Sequence, residues 1–195
     1  MQVFTSPAAI QDYLDSISFN FEKAGETCMS PVRVEREKKA HCIEGAMFAA
    51  KHLELLGYRP LILNLKVSTT DVDHVVALFK HNGLWGAISK TNHNVLRYRD
   101  PIYSSVRELA MSYFHEYFLV ADGTKTMHGY SRAINLNHFG HTWKTREDDM
   151  WDIARYIYDA PITRVVPHGY TKFLRKASVT ERKASSLPEW SASTK

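Results

Sequence analysis

Two residues in this sequence have the type and spacing that nucleophilic catalysis needs. Cys42 stands at the start of a helical segment, just after Ala40-His41, and His74 follows 32 residues later in Asp71-Val72-Asp73-His74-Val75-Val76. A thiol at a helix N-terminus feels the positive end of the helix dipole, which favours thiolate over thiol. A titratable ring at the head of an otherwise apolar strand can take the thiol proton and later return it to a leaving group. Each residue also has an inert reading. A lone helical cysteine is a small buried hydrophobe, and a strand histidine is a core ring bonded to backbone. The combination of the two points to chemistry.

The elements that must position this pair are readable. Ser6-Pro7 is an N-cap followed by a first-turn proline, and Ile10, Tyr13, Leu14 and Ile17 recur at helical spacing behind it. Residues 25–36 read as a connection with a turn at Ser30-Pro31. The Cys-bearing helix runs over about 40–56, with Ile43, Ala46, Met47, Ala50 and Leu53 on one face and Gly57 as its stop. Strands follow over 60–66, 73–80 and 84–90, the last two joined by the hairpin signal His81-Asn82-Gly83. Further helices are expected over 106–118 and 146–158. A hairpin centred on Asn82-Gly83 sets His74 across from the residues around Ser89 to Thr91, and a hydrogen-bonding side chain there could hold its tautomer.

The run Ala40-His41-Cys42-Ile43-Glu44-Gly45-Ala46, the helix end Leu55-Leu56-Gly57-Tyr58-Arg59-Pro60, the strand opening Asp73-His74-Val75-Val76-Ala77 and the segment Gly83-Leu84-Trp85 resemble the core of the transglutaminase-like (papain-like cysteine) superfamily. The resemblance spans residues 38–103. The chain also resembles a group of bacterial proteins that share the Cys-Ile-Glu-Gly-Ala and Trp-Gly-Ala-Ile-Ser-Lys-Thr-Asn segments. The superfamily implies a Cys–His–Asp triad, with the Asp shortly after the Trp and commonly before a Pro. Here Ser89 stands four residues after Trp85, and Asp100-Pro101 comes later. The resemblance therefore puts Asp100 first as third member, displaced by an insertion, with Asn92 as rival (an amide serves in papain-like enzymes) and Ser89 third. Charge supports that order, because a carboxylate stabilises imidazolium better than an amide can. The inert reading of Asp100 is an ion pair with Arg97 or Arg99.

Hydrophobic residues make up 44% of the 195 and charged residues 24%, so a sizeable core can form. The formal net charge of +4 does not call for nucleic acid. Lys172, Arg175, Lys176, Arg182, Lys183 and Lys195, against Glu181 and Glu189, carry the whole surplus in the final stretch. No segment is long and apolar enough to span a bilayer, and Met1 to Pro7 lacks the regions of a signal peptide. With Cys28 and Cys42 suited to a reducing compartment, a cytoplasmic location is expected. His138 and His141 read as loop residues, and neither metal nor cofactor is expected. Tyr113, Phe114, Tyr117 and Phe118 read as core, and Glu44 as a residue of the site mouth or a solvated first-turn carboxylate. The expectation is a single α+β domain over 1–175, with a Cys-bearing helix packed on an antiparallel sheet, additional C-terminal helices and a mobile basic tail over 176–195. The expected function is acyl transfer on a carboxamide or peptide bond of a peptide or protein substrate, through a thioester on Cys42. The alternative is a non-catalytic binding or scaffolding module on the same fold.

Overall fold

A computed structural model describes residues 2–192. Ser6 caps α1 (Pro7–Ser16), its hydroxyl accepting from the Ala9 N–H at 3.1 Å. The short strand β1 (Ser18–Phe19) lies parallel to β2 (Lys39–Ala40), and α2 (Pro31–Glu37) sits between them in the chain. The Cys-bearing helix α3 (Cys42–Leu55) follows β2 directly. It ends in a left-handed Gly57 at φ 88°, with Tyr58 N–H donating to Leu53 O and Gly57 N–H to Glu54 O. That is a Schellman closure, which a residue with a Cβ would strain.

A seven-stranded antiparallel sheet forms the second layer. Its strands are β3 (Leu61–Val67), β4 (His74–His81), β5 (Leu84–Ile88), β6 (Arg99–Tyr103), β7 (Met127–Ser131), β8 (Ile134–Asn135) and β9 (Ile162–Arg164). The order is β6-β5-β4-β3-β7-β9, with β8 also on β3. The β4–β5 turn has positive φ at both Asn82 and Gly83, which fixes the register at His81↔Leu84 and Ala77↔Ile88. One sheet face packs Val75, Ala77 and Phe79 against α1, α3 and α5 (Trp151–Tyr158). The other packs Val76 and Leu78 against α4 (Val106–Ser112) and the aromatics Tyr113 and Tyr117. The fold is α+β, as expected.

Four expectations change. The helix expected over 106–118 ends at Ser112, and Phe114–Glu116 forms only a 3-10 turn. Residues 31–37 are helical rather than a connection, because Ser30 caps α2 as Ser6 caps α1, with a proline in the first turn of each. The helix expected from 146 begins at Trp151, because the acidic run before it bridges to α2 instead. Asp149 meets Arg33 at 2.8 Å, and Glu147 meets Arg36 at 2.9 Å. The segment 176–192 is not a loose tail. It forms α6 (Val179–Ser185) and then docks, with Trp190 N–H donating to Asn92 Oδ1 at 2.7 Å, Asn92 Nδ2 to Trp190 O at 3.1 Å, and Arg97 pairing with Glu189 at 2.9 Å. The last three residues of the expected tail, 193–195, lie outside the described residues.

Removing residues 186–195 should therefore destabilise the protein. Losing the amide pairing and the ion pair costs about 2 kcal/mol, or roughly 4–8 °C in Tm for a domain of this size. Differential scanning calorimetry reads the change. An unaltered Tm would mean that the docked segment adds nothing to stability.

Candidate functional site

Cys42 occupies the first turn of α3 and is partly exposed, whereas Cys28 is fully buried and both are free thiols. The helix start is held by Glu44, whose side chain has no exposure at all. Its carboxylate accepts from His41 N–H at 3.0 Å, Met29 N–H at 2.9 Å, Thr27 Oγ1 at 2.7 Å and Asn20 Nδ2 at 3.1 Å. Glu44 is thus neither solvated nor at the mouth. It pins the loop after β1 to the Cys helix and places a negative charge under the site. The helix also comes close to Lys90. A Cβ on Gly45 would stand 2.5 Å from Lys90 Cβ, so only glycine fits there. The buried Lys90 ammonium, depressed to about 8 by burial, donates to Leu14 O and Ile17 O at the end of α1.

His74, buried at 6% exposure, opens β4 beside Asp73. Asp73 anchors the strand entry by accepting from Lys66 Nζ at 2.8 Å, Val67 N–H at 3.0 Å and Asn64 Nδ2 at 3.1 Å. The His74 ring reaches two partners. One is the Cys42 sulfur, whose thiol it helps to hold down. The other is Ser89 Oγ, 2.7 Å from Nε2. Ser89 donates its own hydrogen to Leu96 O, so toward His74 its oxygen accepts. That direction places a proton on Nε2 and leaves Nδ1 as the nitrogen that can exchange a proton with the thiol, as an acid–base role requires. Ser89 is itself gripped by α1. Gln11 Oε1 accepts from Ser89 N–H at 2.9 Å, and Gln11 Nε2 donates to Ser89 O at 2.8 Å.

Of the three candidates, the side chain that meets the His74 ring is the last-ranked one, Ser89. Asp100 is exposed on the edge strand β6, next to Arg99, which pairs with Ala87 near the middle of β5. The intervening residues do not fold back to bring it to His74. Neither arginine engages it as the inert reading supposed, for Arg99 meets Glu116 at 2.6 Å and Arg97 meets Glu189. Asn92 has its amide committed to Trp190.

No protein-family model matches the chain, and no curated protein matches it. The site must be read from its own geometry. His41 is the residue that sequence reasoning passed over. Its ring also acts on the thiol of the next residue, Cys42, and its Nε2 lies 3.0 Å from Thr27 O. Burial pushes the Cys42 thiol up. Hydrogen bonds from His41 and His74, with the charge they carry, outweigh it and hold the thiol down at about 5. Burial and the Glu44 carboxylate push Cys28 the other way, up to about 12. The only local signal for His41 was its place immediately before the nucleophile, three residues ahead of Glu44 in a capping-box spacing.

Cys42 and His74 line a cavity of about 390 Å³ with Asp71, Asn92, Tyr117 and Val120. Ser185, at the end of α6, closes one side. Among the described residues no group of three or more His, Cys, Asp or Glu is placed to hold a metal ion, and no helix is long and apolar enough to cross a membrane.

Proposed function

We propose that the protein catalyses cysteine-dependent acyl transfer on a carboxamide or peptide bond, in the manner of a transglutaminase-like or papain-like enzyme. One observation carries the reading: a partly exposed cysteine at a helix N-terminus, its thiol held down by a histidine that Ser89 Oγ meets at Nε2, on the wall of a cavity. The Cys42 thiolate attacks the carbonyl carbon. The carbonyl π pair moves to oxygen, beside the N-terminus of α3, where backbone N–H groups lack intrahelical partners. Collapse of the tetrahedral species expels the amine, which takes its proton from His74, and leaves a thioester on Cys42. Water, losing a proton to His74, then releases acid and makes a peptidase or amidase. An amine in its place makes a transglutaminase. A peptide or protein is the substrate class that the open cavity suits.

A second reading, a non-catalytic binding module, draws on one feature. The group behind His74 is a neutral hydroxyl, which stabilises imidazolium less than a carboxylate does. A peptidyl fluoromethyl ketone separates the two. The acyl-transfer reading expects a covalent adduct on Cys42 by mass spectrometry, absent from His74→Ala. No adduct at any pH from 5 to 9, with the thiol still open to iodoacetamide, would favour the binding module.

A further inference from the structure

We propose that Asp71 selects substrate peptides that carry a lysine or arginine side chain on the residue bearing the scissile carbonyl. The inference rests on the acyl-transfer reading and names the substrate class of that site. Asp71 lines the same cavity as Cys42 and His74. It stands three residues before His74 in the chain, so the two Cα atoms are at most about 10–11 Å apart. A long side chain on the residue held at Cys42 spans a gap of that order.

Three carboxylates and one lysine line the cavity, and the charges other than Asp71 are already engaged. Asp73 is paired with Lys66 at 2.8 Å, and Glu116 with Arg99 at 2.6 Å. The Lys90 ammonium donates to Leu14 O and Ile17 O at the end of α1. Asp71 meets neutral donors instead. Thr126 Oγ1 donates to its Oδ2 at 2.6 Å, and Val72 N–H donates to its Oδ1 at 2.8 Å. Among the described residues it takes part in no ion pair. His93 also lines the cavity, but burial pushes its ring below the ordinary histidine value, so it is not a counter-ion near neutral pH. The two neutral bonds orient the half-buried Asp71 carboxylate without cancelling its charge. A carboxylate has about four lone-pair sites, and those that remain suit an ammonium or a guanidinium. The cavity also offers apolar wall to a methylene stem, from Leu96, Phe118, Leu119 and Val120. The Tyr117 hydroxyl, donating to Val72 O at 3.5 Å, ties that aromatic segment to the residue after Asp71. Lysine and arginine match both parts, because their stems cover apolar surface while their heads keep a charged partner. A neutral side chain would leave the carboxylate desolvated and unpaired, and a glutamate would be repelled.

The test uses peptidyl fluoromethyl ketones that differ only in the residue bearing the ketone: lysine, norleucine (the same stem without the charge) or glutamate. The second-order rate of adduct formation on Cys42, followed by mass spectrometry, is measured for wild type, Asp71→Asn and Asp71→Lys. Wild type should favour lysine over norleucine by about tenfold or more, as a hydrogen-bonded charge pair warrants, and should react slowest with glutamate. Asp71→Asn should erase the lead of lysine. Asp71→Lys should reverse the order and put glutamate ahead of lysine, a reversal that a merely structural role for Asp71 would not give. Wild type reacting no faster with lysine than with norleucine overturns the proposal, and so does a lysine preference that survives in both variants. Should neither variant fold, the wild-type comparison of lysine with norleucine decides. No adduct with any of the ketones, in a protein whose Cys42 still takes iodoacetamide, is a different result. It removes the acyl-transfer reading, and this proposal with it.

Discussion

Iodoacetamide should modify Cys42 along a pH curve that inflects near 5 and should leave Cys28 untouched in the folded protein. The two thiols sit at opposite extremes. Cys42 is held at about 5 by two imidazoles against the opposing effect of burial, and Cys28 is pushed up to about 12 by burial and by the Glu44 charge. Because the folded Cys42 value is depressed, its thiolate is present above the inflection and is lost as the pH falls through it. At pH 5.5 the thiolate fraction of Cys42 is about three-quarters, against about 0.1% for a thiol at 8.5. A low-pKa thiolate is the weaker nucleophile, by roughly 25- to 55-fold over this interval. The net advantage at pH 5.5 is therefore about tenfold or more, and it shrinks toward neutrality. The position of the inflection is the decisive reading, not the rate at pH 7. Peptide mass spectrometry after timed alkylation measures both cysteines at once. An inflection for Cys42 above pH 8 would mean that neither imidazole acts on the sulfur.

The largest loss of turnover should come from His74→Ala, by about 10²–10⁴-fold on a peptide p-nitroanilide, the usual range for a positioned acid–base group. The loss on an activated p-nitrophenyl ester should be smaller, because that leaving group departs without a proton. Ser89→Ala removes a single neutral hydrogen bond and should cost about tenfold, corresponding to about 1.4 kcal/mol. Asp100→Ala should leave turnover within about twofold, since Asp100 lies exposed on the edge strand β6. Steady-state kinetics on the three variants separate the roles. If Asp100→Ala matched the His74→Ala loss while Ser89→Ala did not, the third position would return to Asp100.

The parts of this molecule that could be read from sequence are those with local causes. Asn82-Gly83 imposes positive φ on both turn residues, and the hairpin register follows from it. Ser6-Pro7 starts α1 by the same chemistry that Ser30-Pro31 uses to start α2. The second was passed over because the segment behind it, Val32-Arg33-Val34-Glu35-Arg36, has too few apolar residues to show a helical period. Its stability comes from Arg33 and Arg36 bridging to the acidic run before α5, partners more than 100 residues away. Cys42 and His74 were legible because each opens an element. Glu44 was legible only as a helix residue, since its four donors lie on a loop and at a cap. The choice among Ser89, Asn92 and Asp100 turned on where residues 90–99 run. Nothing local determines that path. It is set by Gln11 clamping Ser89, by Glu116 accepting from Leu96 N–H at 2.7 Å, and by Trp190 holding Asn92. A family pattern that presumes the Asp-Pro position could not anticipate these contacts.

The docking of Trp190 on Asn92 also has a meaning in time. The residues that contact the sulfur or orient its partner, His41, Cys42, His74 and Ser89, all leave the ribosome within one short stretch, and the hairpin that sets their register closes within it. The segment that pairs with Asn92 is 98 residues further along the chain. At about 5–20 residues per second, roughly 5–20 s of synthesis separate the two. Throughout that interval the nascent chain already carries the nucleophile, while the groove around it lacks one wall.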